Sequence, residues 1–69
     1  MNLISVVSSD LSAVGYEPST QQLEIVFHSG GVYLYSGVSP SEYQGLMSAG
    51  SKGRYFHAFI KPHPYTRIG

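Results

Sequence analysis

Cysteine and tryptophan are absent from this chain, charged residues make up only 12% of it, and no apolar run is long enough to span a membrane. Without cysteine, neither a disulfide nor a thiolate zinc site can staple a small fold, which argues against a secreted mini-protein and for a cytoplasmic location. The apolar start, Met1 to Val7, has no positive flank and stops at Ser8 and Ser9, unlike a signal peptide or a membrane anchor. Scarce charge leaves little long-range attraction for nucleic acid or anionic lipid, so any such binding has to rest on a local patch. The two signs also do not mix: Asp10, Glu17, Glu24 and Glu42 all precede residue 51, whereas Lys52, Arg54, Lys61 and Arg67 all follow it.

What is present suffices for one domain, residues 1–69, with 42% hydrophobic residues. A domain of this size buries roughly 60% of the surface that its unfolded chain exposes. Leu11 to Tyr16, Gln22 to His28 and Val32 to Ser36 are short, rich in Val, Ile, Leu, Phe and Tyr, and separated by turn residues, the pattern of an antiparallel meander. Leu3 to Ser8 is a candidate fourth, edge strand. In the second strand Leu23, Ile25 and Phe27 alternate with Glu24, Val26 and His28, as a half-buried strand requires. Ser29, Gly30 and Gly31 supply a tight return.

After Gly37 the apolar period changes to that of a helix. Ser39 is the expected N-cap, Pro40 the first helical residue and Glu42 the partner in a capping box. This helix should carry Tyr43, Leu46 and Met47 on one stripe and end near Gly50 in a left-handed cap. Ser51 caps a second helix, with Tyr55, Phe56, Phe59 and Ile60 on one face and Arg54, His57 and Lys61 on another, ending before Pro62. The tail from Pro62 to Tyr65 should be extended. The expected architecture is α+β: three to four antiparallel strands followed by two short helices packed on one face, formed by Leu23, Ile25, Phe27, Val32 and Leu34.

Several short motifs resemble a known family. Val14-Gly15-Tyr16, Phe27-His28-Ser29-Gly30, Tyr33-Leu34-Tyr35 and Ser51-Lys52-Gly53-Arg54-Tyr55-Phe56 are similar, in sequence and spacing, to the KTSC domain. That module occurs alone in bacteria and phages and at the C-terminus of some lysyl-tRNA synthetases. The resemblance implies a role in RNA binding by association with a tRNA-handling enzyme, and Tyr33 and Tyr35 match the family's most recognisable motif. His57 stands where the family commonly has asparagine. No synthetase catalytic domain accompanies the motifs, so amino-acid activation is not implied.

The residues themselves suggest a surface more than a reaction. Strand alternation places Tyr33 and Tyr35 on one face, grouped with Tyr16, Glu24 and Val26. If open, that face would let unpaired bases stack, at about 1–3 kcal/mol per base; if a helix covers it, the tyrosines are structural. Ser51, Lys52, Gly53 and Arg54 form a helix start at which backbone amides and the helix dipole favour an anion. A basic first turn opposes that dipole unless an anion compensates, although ordinary capping and solvated cations account for the same residues. His57 and His63 match no helical metal-ligand spacing, and no nucleophile elbow or P-loop is present, so neither a metal, a cofactor nor catalysis is expected. The expected binding residues are Tyr33, Tyr35, Ser51, Lys52, Gly53, Arg54, His57, Lys61 and Arg67, with RNA as the partner. The competing reading is a protein-interaction or homodimerisation module without nucleic acid, in which acidic and basic halves of two copies meet.

Overall fold

The structure, a computed structural model, describes all residues 1–69. Strands β1 (Leu3–Ser5), β2 (Leu11–Glu17), β3 (Gln22–Phe27), β4 (Val32–Tyr35) and β5 (Tyr65–Arg67) form one antiparallel sheet in sequence order. Helices α1 (Pro40–Ser48) and α2 (Lys52–Tyr55) follow β4, and α2 runs on into a π-helical turn, Phe56–Ile60. The α+β class and the meander are as the sequence indicates, but the tail expected to be extended from Pro62 first turns through residues 61–63, where the His63 amide donates to the Ile60 carbonyl, and only then adds a fifth strand at the edge. No helix is long and apolar enough to cross a membrane.

The face expected to receive the helices is not the one observed, and the turn chemistry says why. Helices cover the sheet face that carries Leu23 and Ile25, but Tyr33 and Tyr35 share that face, and Val32 and Leu34 do not. The β3–β4 connection is a three-residue loop, His28-Ser29-Gly30, closed by hydrogen bonds from the Phe27 amide to the Gly31 carbonyl and from the Gly30 amide to the Phe27 carbonyl, both 2.9 Å. Gly30 takes φ +104°, the left-handed region a glycine tolerates at such a turn. An odd loop pairs odd with odd: Ile25 faces Tyr33, Leu23 faces Tyr35, and Glu24 and Val26 face Leu34 and Val32 on the other side. A shift of one residue would have moved every side chain to the opposite face.

A second irregularity acts in the same way. Between β2 and β3 the pairing slips at Ser12, so Leu11 opposes Phe27 while Val14 opposes Ile25 and Tyr16 opposes Leu23. Such a bulge lets Leu11, Val14 and Tyr16 all point to the helices despite their uneven spacing. Leu11, Val14, Leu23, Ile25, Val38, Leu46 and Ile60 are completely buried, and Tyr35 and Phe56 nearly so.

The α1 start is the capping box that the sequence indicates: the Glu42 amide donates to the Ser39 hydroxyl at 3.2 Å and the Ser39 amide to the Glu42 carboxylate at 3.0 Å. Its end differs, because the C-cap is Ala49 in extended conformation and Gly50 has no positive φ. Ser51 caps α2 through the Arg54 amide. Farther along, the Lys61 amide reaches the Phe56 carbonyl at 2.8 Å, an i→i+5 bond. This wider turn keeps Phe56 and Ile60 in the core but swings Phe59 outward, where it is 54% exposed. Phe59 therefore does not belong to the core stripe that an ordinary helix would have given it.

The two faces differ in what they should contribute to stability. Leu23→Ala should cost about 2–5 kcal/mol in urea unfolding, as buried leucine truncations do. Leu34→Ala, on the uncovered face, should cost less than half as much, and equal losses would contradict the register.

Candidate functional site

The helix-covered face extends beyond its helices. At the β4–β5 end Tyr65 pairs opposite Tyr35 and Arg67 opposite Tyr33, so both project on the same side as the tyrosine pair. The covering helices leave this corner open, and a cleft of about 310 Å³ results, lined by Phe27, Ser29, Tyr33, Tyr35, Phe56, His57, Lys61 and Tyr65.

Rings form its walls. Tyr33 and Tyr35 lie nearly parallel, 27° apart with centroids at 6.4 Å, and Tyr65 approaches each at 5.6 Å. Phe56 meets Phe27 and Tyr35 edge to face. The π-helical turn supplies Phe56 to the floor, while His57 and Lys61, four residues apart, rise together to the rim. The Arg67 guanidinium carbon sits 5.7 Å from the centre of the Tyr33 ring, and Arg67 Nε donates to the Gly69 carbonyl at 2.8 Å. This contact fixes a cation beside the cleft. None of the four carboxylates lines it.

The hydroxyls matter as much as the rings. Buried side-chain polar atoms are all satisfied. Tyr35 is only 4% exposed and its hydroxyl has no hydrogen-bond partner in the protein, so that hydroxyl reaches solvent through the cleft. Burial, with Tyr33 and Tyr65 as neighbours, pushes it up to about 12, which keeps it protonated and able to donate at neutral pH. Tyr16 contrasts with these: it stacks on Tyr43 at 4.5 Å and its hydroxyl donates a hydrogen bond to the Val38 carbonyl at 2.6 Å. Its role is structural, tying β2 to the start of α1.

The tail that carries Tyr65 is held by two contacts. The Ser36 amide donates to the Pro64 carbonyl at 2.9 Å, and His63 Nε2 lies 2.8 Å from the Glu42 carboxylate. His63 is thus engaged with the α1 capping box and lies apart from His57 at the cleft.

The expected site residues consequently divide. Tyr33, Tyr35, His57 and Lys61 come together in the cleft, with Arg67 beside it, whereas Ser51, Lys52, Gly53 and Arg54 line no part of it. Lys52 is half-buried and directs its ammonium to the Ala49 carbonyl at 3.4 Å, while Arg54 is exposed. A Cβ on Gly53 would lie 3.0 Å from the Asp10 carboxylate. Asp10 therefore sits beside the α2 start and places a negative charge of the chain's own near its basic first turn. Sequence reasoning missed Phe27, Ser29, Phe56 and Tyr65 as site residues. Phe27 and Phe56 read as core from their periodicity, and Tyr65, one of the rings that alternate with cations in the C-terminal third, joins the tyrosine pair only through the pairing of the tail with β4.

A sheet of five antiparallel strands with its helices on one face and an aromatic cleft at the open corner defines a small α+β domain built around a tyrosine cluster. The chain belongs to the KTSC domain family, whose model matches residues 7–65. A KTSC domain protein from Yersinia pestis, known from its crystal structure, superposes with a TM-score of 0.95 at 40% identity over 99% of this chain and 97% of that one. An uncharacterized protein of Stutzerimonas stutzeri is 42% identical over 94% of this chain and 92% of its own length. A lysine–tRNA ligase of Nostoc sp. is 44% identical over 86% of this chain, a match that spans only 10% of the ligase.

Hydrogen bonds from His63 and from the Ser39 amide hold the Glu42 carboxyl below its usual range. A carboxyl depressed by folding adds stability above its unfolded pKa and loses it as the pH falls through the folded value. Acid unfolding should therefore steepen below about pH 4.5, the ordinary glutamate range. Glu42→Gln keeps an acceptor for the Ser39 amide, and it should be less stable at neutral pH and flatten that acid limb. An unchanged pH profile for the variant would refute the contribution of the pair.

Proposed function

We propose that this KTSC domain is a small non-catalytic module that binds single-stranded, tRNA-like RNA through the aromatic cleft and the cations beside it. The carrying observation is the cleft itself: walls of tyrosine and phenylalanine rings, from buried Tyr35 and Phe56 through half-buried Tyr33 to exposed Tyr65, bordered by Lys61, His57 and Arg67, with no carboxylate among the lining residues. Rings offer stacking platforms to bases, and cations offer neutralisation to phosphates. The relation to a segment of a lysine–tRNA ligase supports RNA of tRNA type as the partner. Exposed Arg54, together with Lys61 and Arg67, extends the positive surface, while Asp10 beside Gly53 moderates the α2 end of it. Neutral overall charge makes this binding local and strongly dependent on salt.

A second reading, self-association through the sheet face that the helices leave uncovered, is favoured by the apolar side chains of Leu3, Val26, Val32 and Leu34 there, of which Leu3 is 48% exposed. Sedimentation across a concentration series distinguishes it, since a constant monomer mass rules it out.

Titration of single-stranded RNA by fluorescence anisotropy at several salt concentrations tests the RNA reading. Neutralisation of about three phosphates by Arg54, Lys61 and Arg67 predicts a slope of log K against log salt near −2. A flat response, or no binding at low salt, would overturn it.

A further inference from the structure

The cleft is small, oriented and polar at particular points. At about 310 Å³ it lies at the lower end of the range of small-molecule sites, roughly 300–1,000 Å³, enough for one flat ring system with a substituent and too little for stacked bases. Its walls are set for a planar guest: Tyr33 and Tyr35 lie nearly parallel, while Phe56 stands edge-on to Tyr35 at 79°. A ring entering along the tyrosines would stack on one wall and meet another edge-on, both favourable aromatic arrangements. The Tyr35 hydroxyl, without a partner in the protein, opens into this space.

Charge then selects among planar guests. A quaternary ammonium would find an aromatic cage but would be repelled by Lys61 and Arg67, and an uncharged apolar ring would leave those cations unused. A base joined to a phosphate satisfies both halves of the site. We propose, on the basis of the RNA reading above, that the cleft receives one unstacked base of a single strand, while Lys61 and Arg67 hold the phosphates that flank it. The module is then a reader of single nucleotides in loops, bulges or ends. Duplex RNA is excluded because its bases are not free to enter, and Arg54 adds affinity that is blind to the base.

Three probes of equal length separate the parts: a short single-stranded RNA, the same strand in a duplex, and the same strand with every base replaced by an abasic residue. The intact strand should shift the amides of Tyr33, Tyr35, His57 and Tyr65 in NMR spectra. The abasic strand, which keeps its phosphates, should bind about 5- to 150-fold more weakly, the worth of one stacked base. Tyr65 is 59% exposed on an edge strand, so Tyr65→Ala should fold. This variant should bind the intact strand about tenfold more weakly and the abasic strand unchanged, a difference that general damage to the fold would not produce. Lys61→Ala should lower the salt slope by about 0.7. Equal affinity for intact and abasic strands would overturn the inference and leave the RNA reading standing. Failure of every strand to bind at low salt would overturn both. Shifts at the cleft from a phosphotyrosyl peptide, with none from any RNA, would overturn both in favour of a protein ligand.

Discussion

The length of one hairpin loop governs this structure. His28, Ser29 and Gly30 form an odd connection, and the parity it imposes puts Tyr33 and Tyr35 on the face of Leu23 and Ile25. A two-residue turn at the same place would have sent Val32 and Leu34 into the core and left the tyrosines on the uncovered side. The bulge at Ser12 makes the matching adjustment in β2, so that Leu11 joins Val14 in the core. With both in place, one face receives the helices and the aromatic rings together, and the opposite face is left to Leu3, Val26, Val32 and Leu34 with Glu24 and Thr66 among them.

That arrangement gives the tyrosine cluster a mixed character. Tyr35 is buried like a core residue but keeps a hydroxyl open to water, Tyr33 is half-buried beneath Arg67, and Tyr65 is largely exposed. Core and site are continuous: Phe56 packs against Tyr35 from below and also forms the cleft floor. The π-helical turn contributes to both, since its wide hydrogen bond holds Phe56 and Ile60 inward while His57 and Lys61 reach the rim. A cleft that shares its rings with the core is hard to alter without affecting stability, which is one reason for the exposed edge residue Tyr65 to be the informative one to change.

Charge segregation along the chain does not become a segregation of surfaces in any simple way. Asp10, from the acidic half, comes to the start of α2 beside Gly53, and Glu42 closes onto His63 in the basic half. A carboxylate of the chain itself thus stands beside the basic turn Lys52-Gly53-Arg54. What remains of the positive third is divided between exposed Arg54 and the pair at the cleft, Lys61 and Arg67, and only that pair lies next to the rings.

Much of the architecture was legible in local signals. Strand alternation around Leu23 and Ile25, the Ser39-Pro40-Ser41-Glu42 helix start and the Ser51 cap each involve groups a few residues apart, and local chemistry fixes such features wherever the chain goes. The motifs around Gly15, Tyr33 and Gly53 likewise identified the family. Which face the tyrosines occupy was beyond that reach, because it depends on the exact length of a glycine-containing turn, which Ser29-Gly30-Gly31 leaves open. The fifth strand, the turn of Phe59 away from the core and the assembly of Phe27, Phe56 and Tyr65 into one cleft are decisions of tertiary structure. They join residues far apart in sequence through backbone pairing and packing, and no local pattern encodes them.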